Sequence, residues 1–250
     1  MIEVKGLYKD FDGRTVLENI NIKFEPGKCS LIIGASGSGK TVMMKNLIGL
    51  YTPSKGEILY GGTNFANLSL SEKKVFRKEM GVLFQGSALF DFATVEENVM
   101  FQLDFFTNWS YEEKLERVNF CLKRVNLENV NHLYPSQISG GMQKRVGIAR
   151  AIAMNPKFLF CDEPNSGLDP TTSIVIDRLI QEITQEYQMT TVINTHDMNS
   201  VMEIGDHIGF IHKGCLEWEG SNKEIMDSDC QSLNDFVFAN NLARQLKRNR

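Results

Sequence analysis

The run Gly34-Ala35-Ser36-Gly37-Ser38-Gly39-Lys40-Thr41 follows the spacing GxxxxGK(S/T). Glycines at the first, fourth and sixth places let the backbone curl until successive N–H groups face one point, which suits a phosphate. A helix opening after the loop adds the positive end of its dipole. Lys40 has the reach to meet β- and γ-phosphates, and the Thr41 hydroxyl suits Mg²⁺. A second run, Phe158-Leu159-Phe160-Cys161, is wholly apolar and ends in Asp162-Glu163. A strand buried until its carboxyl end delivers such acids to the edge where open α/β sheets bind ligands. Asp162 suits the Mg²⁺ shell through a water, and Glu163 suits orienting or deprotonating an attacking water. Ser139-Gly140-Gly141 starts a third chemical feature. Ser139 reads as a helix N-cap, and two glycines at a helix start leave N–H groups open to an anion.

These groups need elements to carry them. Ile2-Glu3-Val4 and Ile20 to Phe24 alternate as half-buried strands, separated by Asp12-Gly13 and Pro26-Gly27 turns. Cys29 to Ile33 is a strand buried on both faces, followed by the glycine loop and a helix over Thr41 to Leu50. Lys55 to Gly62 contains a short strand. Helical periodicity covers Thr94 to Arg124, then runs from near Ser139 and ends before Asn155-Pro156, since proline disfavours helix in the residue ahead of it, then covers Ile174 to Glu186. Thr190 to Asn194 is a further strand, and His207 to Ile211 with Cys215 to Trp218 forms a hairpin around Lys213-Gly214. Strands alternating with helices predict an α/β fold with a largely parallel sheet.

Hydrophobic residues make up 42% of the chain and charged residues 23%, which provides for a folded core rather than disorder. A net charge of −4 argues against nucleic acid as a partner. Cys29, Cys121, Cys161, Cys215 and Cys230 are widely spaced without a CxxC pair, predicting reduced core thiols rather than disulfides or zinc. The start of the chain lacks an apolar signal core, and no apolar stretch is long enough for a membrane span.

The order of these motifs resembles the ABC (ATP-binding cassette) ATPase family over nearly the whole chain. Ser139-Gly140-Gly141 is similar to the family signature LSGGQ, with Ile138 in place of Leu and Met142 in place of Gln. The resemblance implies a P-loop NTPase fold with an N-terminal antiparallel β portion and an inserted helical lobe. It puts an ATPase domain at 1–222, with the lobe at about 86–155, and a C-terminal helical extension at 223–250. ATP and Mg²⁺ are the implied ligands. Phe11 is the implied adenine-stacking aromatic, with Gly34, Ala35, Ser36, Gly37, Ser38, Gly39, Lys40, Thr41 and Val42 on the phosphates. Gln85, after Val82-Leu83-Phe84, matches the glutamine loop that reaches the metal and links nucleotide to transport partner. His196, after Asn194-Thr195, matches the histidine on the γ-phosphate. Glu163, His196 and Gln85 are thus the implied catalytic set, and Thr41, Gln85 and Asp162 the implied metal contacts. A second copy in a head-to-tail dimer is implied, with Ser139, Gly140, Gly141 and Met142 contacting its ATP and Ser166, Gly167, Leu168 and Asp169 touching it.

Within the family, Phe84-Gln85-Gly86-Ser87-Ala88-Leu89-Phe90-Asp91 and Thr94 to Val99 resemble ATPase subunits of Mla-type phospholipid transporters. That resemblance implies lipid transport through an integral membrane permease with an MCE-type lipid-binding partner, and a place on the cytoplasmic side of the inner membrane. The alternatives are an ATPase of another importer or exporter, a soluble ABC ATPase of cluster assembly, and a regulatory subunit that hydrolyses poorly. Phe84, Leu89, Phe90, Phe92 and Phe101 are read as a permease seat beside Gln85, or else as core. The apolar positions from Leu233 to Leu246 read as an amphipathic helix on its own domain, on a partner subunit or on a membrane surface.

Overall fold

The computed structural model describes residues 1–238. The strands are β1 (Ile2–Phe11), β2 (Arg14–Phe24), β3 (Cys29–Ile33), β4 (Lys55–Tyr60), β5 (Thr63–Asn64), β6 (Met80–Leu83), β7 (Phe158–Asp162), β8 (Thr190–Asn194), β9 (His207–His212) and β10 (Cys215–Gly220). The helices are α1 (Lys40–Leu47), α2 (Leu70–Phe76), α3 (Val95–Phe106), α4 (Tyr111–Arg124), α5 (Gly140–Ile152), α6 (Pro170–Glu186), α7 (Met198–Ile204) and α8 (Gln231–Val237). They fall into two compact units. One comprises Met1–Glu25, Cys29–Asn67 and the described residues from Asn194 onward; the other comprises Pro26–Lys28 and Leu68–Ile193.

In the first unit, an antiparallel sheet has the order β2-β1-β4-β5. Its register sets Ile2 opposite Phe24 and Val4 opposite Ile22. These four side chains are buried along with Leu7, Leu17 and Ile20, so one face of the β1–β2 pair is core. Both strands outrun the short apolar segments of the sequence, because the Asp12-Gly13 turn, with φ 48° and 80°, closes a long hairpin. β3, buried along its whole length, pairs in parallel with β9. The expected hairpin to β10 forms, with Lys213 and Gly214 at φ 48° and 86°. α1 stops at Leu47, short of the expected Leu50, where Gly49 takes up a left-handed φ of 70°.

The second unit orders its strands β8-β7-β6, with Met80 opposite Phe158 and Leu83 opposite Cys161 in a parallel pair. The helical stretch expected over Thr94 to Arg124 is two helices. Thr107 turns extended (φ −126°, ψ 159°) and its hydroxyl donates to the Leu103 carbonyl at 2.7 Å, ending α3. Ser110 then starts α4 with a capping box on Glu113. Thr94 and Glu97 form the same box at α3, and Ser69 and Glu72 form it at α2, a helix the sequence reading passed over. α6 begins at Pro170, four residues before the expected Ile174, under an Asp169 cap.

Among the described residues no helix is long and apolar enough to cross a membrane. No disulfide joins any of the five cysteines; Cys29, Cys121 and Cys161 are buried, while Cys215 and Cys230 are partly exposed. α8 lies within the segment expected to be a C-terminal helix and ends at Val237; residues 239–250, with Leu242 and Leu246, lie outside the described residues.

Candidate functional site

The glycine loop leaves β3 in a conformation that excludes side chains. Gly34 has φ 151°, and a Cβ there would stand 2.2 Å from the Ile211 carbonyl oxygen. Gly39, at φ 114°, would place a Cβ 2.7 Å from Leu17 Cδ2. Both glycines are thus required by backbone conformation and by close approach. Lys40 is only 8% exposed, and its ammonium donates to the carbonyls of Gly34 (2.7 Å) and Ala35 (3.1 Å), closing the loop on itself. Gly39 caps α1 without a side-chain hydrogen bond, so the first helical N–H groups are left to a ligand. Ser38 Oγ is buried without a hydrogen-bond partner, and Ala35, Ser36, Gly37 and Thr41 are exposed. A curled loop with uncapped N–H groups, an orphaned hydroxyl and a fixed ammonium fits a polyphosphate.

Asn194 Nδ2 donates to the Lys40 carbonyl at 3.1 Å, and Thr195 N donates to the Ile32 carbonyl at 3.1 Å. These bonds tie the residues just before the exposed His196 to β3 and α1. Phe11, at the end of β1, meets Tyr51 edge to face at 5.2 Å, while the Lys9 ammonium lies 4.9 Å from the Phe11 ring centre and 5.5 Å from that of Tyr51. The sequence reading missed Lys9 and Tyr51. Lys9 was legible, since alternation places it on the same strand face as Phe11.

The second unit gathers the other candidate residues. β7 ends at Asp162, and Glu163 follows with a left-handed φ of 49°, unusual for a residue with a side chain. Gln85 Nε2 reaches Ser166 Oγ at 3.4 Å, and Ser166 N donates to the Glu163 carbonyl at 3.1 Å. The Asp169 carboxylate accepts from the amides of Thr171 and Thr172, both at 3.0 Å, and from the Thr172 hydroxyl at 2.5 Å. These bonds, the Thr172 hydroxyl first, hold Asp169 below the usual carboxylate range.

Ser139 caps α5, its hydroxyl accepting from Met142 N at 3.3 Å. A Cβ on Gly141 would lie 2.8 Å from Thr172 Cγ2 and one on Gly140 3.8 Å from Leu168 Cδ2, so the glycine start of α5 packs on the 166–172 turn. Gln143, the residue after Met142, turns back to the Pro135 carbonyl at 2.9 Å. Beyond Gln85, Phe90 packs on Phe92 at 5.5 Å and on Phe101 at 4.8 Å. Phe92 is 84% exposed, Phe84 and Phe101 are exposed as well, and Leu89 and Phe90 are half-buried, so these residues lie at the surface rather than in the core. Among the described residues no group of three or more His, Cys, Asp or Glu side chains could cage a metal. Mg²⁺ bound with a triphosphate needs no such cage, since phosphate and water supply most of its shell.

A family model described as ABC transporter matches residues 17–166. Over 236 residues the chain is 36% identical to the probable ribonucleotide transport ATP-binding protein Mkl of Mycobacterium leprae, covering 94% of this chain and 68% of that protein. It is 39% identical over 227 residues to the methionine import ATP-binding protein MetN of Clostridium tetani, covering 90% of this chain and 70% of that one. Curated relatives at this level of similarity are covered over 66% to 75% of their length. A dimeric structure of a post-hydrolysis state of the ATP-binding cassette MJ0796, bound to ADP and Pi, superposes with a TM-score of 0.80 at 33% identity, over 89% of this chain and 99% of that one. The chain belongs to the ABC transporter family, as an ATP-binding subunit whose ATP hydrolysis is coupled to transport.

Proposed function

We propose that two copies of this chain pair head to tail and hydrolyse ATP at shared sites, driving lipid movement through a separate membrane permease on the cytoplasmic face of the inner membrane. The observation that carries the catalytic part is the linkage Gln85–Ser166–Glu163, which couples the transport-side glutamine to the strained residue after β7. Gly34 to Val42 bind the phosphates, with Lys40 neutralising their charge, and Phe11 stacks on the adenine. Thr41, Gln85 and Asp162 are the proposed magnesium contacts, Asp162 through a water. The metal, when bound, neutralises the phosphate oxygens. Glu163 takes the proton of the attacking water and His196 contacts the γ-phosphate. Ser139, Gly140, Gly141 and Met142 serve the ATP of the other copy, and Ser166 to Asp169 line the pairing surface. ATP then favours the closed pair because it touches both copies only there.

The lipid reading rests on the segment from Gln85 to Val99 and on its exposed aromatics, which suit an apolar permease helix. An MCE-type lipid-binding protein is the expected accessory partner. A second reading, import of a small solute, is favoured by the methionine import name of the Clostridium tetani relative.

Glu163→Gln keeps the shape of the pocket but removes the base. Turnover is expected to fall by roughly 10²–10⁴-fold while ATP binding persists and a closed dimer accumulates. Turnover within a few-fold of wild type would sink the assignment. With the permease in liposomes, stimulation of the ATPase by phospholipid but not by methionine is the result expected of the lipid reading. The reverse pattern selects solute import.

A further inference from the structure

The segment after Gln85 carries an unusual backbone. Ser87 and Ala88 are both left-handed, at φ 60° and 46°, although each has a side chain. Two successive left-handed residues turn their carbonyls the same way, and one planar guanidinium takes both. Arg150 of α5, 7% exposed, donates to the Ser87 carbonyl at 2.5 Å and to the Ala88 carbonyl at 2.8 Å. Lys144 of the same helix, 4% exposed, donates to the Gln85 carbonyl. Burial pushes both cations below their ordinary pKa values, although Cys161 and Glu163 partly hold Lys144 up. Buried charge of this kind persists only with good partners, and here the partners are backbone carbonyls of one short segment. Helix and segment also approach closely, since a Cβ on Gly147 would meet Leu83 Cδ1 at 2.7 Å and Ser87 Cβ at 3.4 Å.

We propose that Lys144 and Arg150 are positioning residues that weld segment 85–90 to α5, so that the Ser139 helix start, Gln85 and the Phe90–Phe92–Phe101 ledge move as one piece. The inference rests on the reading of Ser139 and Gln85 given above. A motion begun where ATP meets Ser139 then reaches the permease seat along a packed helix, with no slack in a loop. Lysine cannot replace Arg150 here, because one ammonium lacks the fork that spans two carbonyls.

The test is amide hydrogen exchange on the full chain, with and without a non-hydrolysable ATP analogue, for Arg150→Lys, Arg150→Gln and Lys144→Gln. In each variant, exchange over 86–90 is expected to rise about ten- to a hundred-fold while α5 changes less than about threefold. Reconstituted with its permease, Arg150→Lys is expected to lose about tenfold in transport per ATP while KM for ATP stays within about twofold. If Arg150→Gln fails to fold, the conservative Arg150→Lys carries the test. Segment exchange that stays at the wild-type level, or that rises in step with α5, overturns the proposal. The site reading fails separately: Ser139→Arg with normal turnover would sink it while leaving the exchange result standing.

Discussion

Gly34 shows how tightly single residues constrain the phosphate loop. Its φ is 151°, and the Ile211 carbonyl oxygen lies 2.2 Å from where a Cβ would sit, which leaves no room for alanine. Gly34→Ala is expected to cost about 1–3 kcal/mol and to weaken ATP binding, read by thermal unfolding and nucleotide titration. This glycine was legible from spacing alone, because the motif demands curled backbone. The left-handed pair Ser87-Ala88 was not, since nothing local in a serine and an alanine asks for positive φ, and Arg150, which donates to both their carbonyls, lies far along the chain. Asp169 gives a pH prediction. Its folded pKa is lowered by the Thr172 and Thr171 bonds. The stability it lends is therefore fully present above its unfolded value and is lost as pH falls through the folded one. The Tm gap between wild type and Asp169→Asn is expected to be open at neutral pH and to close in acid. A gap independent of pH would rule out a charge-assisted cap.

Among the elements, the strands β3 and β7 were readable because they are buried on both faces and so are mostly apolar along their length. α2 escaped because it buries no side chain; Leu70 and Val75 face outward at 87% and 64% exposure, so no apolar stripe marks it. Its capping box, Ser69 with Glu72, was the available signal. The same box at Ser110 is what divides α3 from α4 inside an otherwise continuous helical pattern. α3 also fixes the segment ahead of it. Asn98, fully buried, accepts from Phe90 N at 2.8 Å and donates to the carbonyls of Phe90, Ala93 and Thr94 at 3.1, 3.1 and 2.9 Å. Asn98→Ala removes these four bonds from a buried site, those of the Phe90 amide and the Ala93 carbonyl among them, and is expected to destabilise by about 1–3 kcal/mol in denaturant titration. A loss under about 0.5 kcal/mol would mean that water replaces the amide.

For the whole molecule, the family and its nucleotide chemistry were legible because several rare motifs occur in a fixed order. The transported substrate was not, because nothing in the motifs of a nucleotide site encodes a cargo. Phe92 offers the direct test of the proposed permease contact. At 84% exposure, Phe92→Asp is expected to shift folding stability by less than about 0.5 kcal/mol yet abolish co-purification with the permease. Normal permease binding would move the docking seat elsewhere.

The division of the chain also bears on its synthesis. The unit that holds the phosphate loop is assembled from three separate stretches, the last beginning at Asn194. Its loop leaves the ribosome early, but β9, the parallel neighbour of β3, begins only at His207. The Ile211 carbonyl against Gly34 and the Gly214 amide on the Ser38 carbonyl arrive later still. Translation therefore withholds a finished nucleotide loop until the residues up to Gly214 exist, and a stalled nascent chain released after Ile204 is expected to retain no ATP. Under the proposed ATP-driven pairing, such a fragment is expected not to hold a full copy in an idle pair.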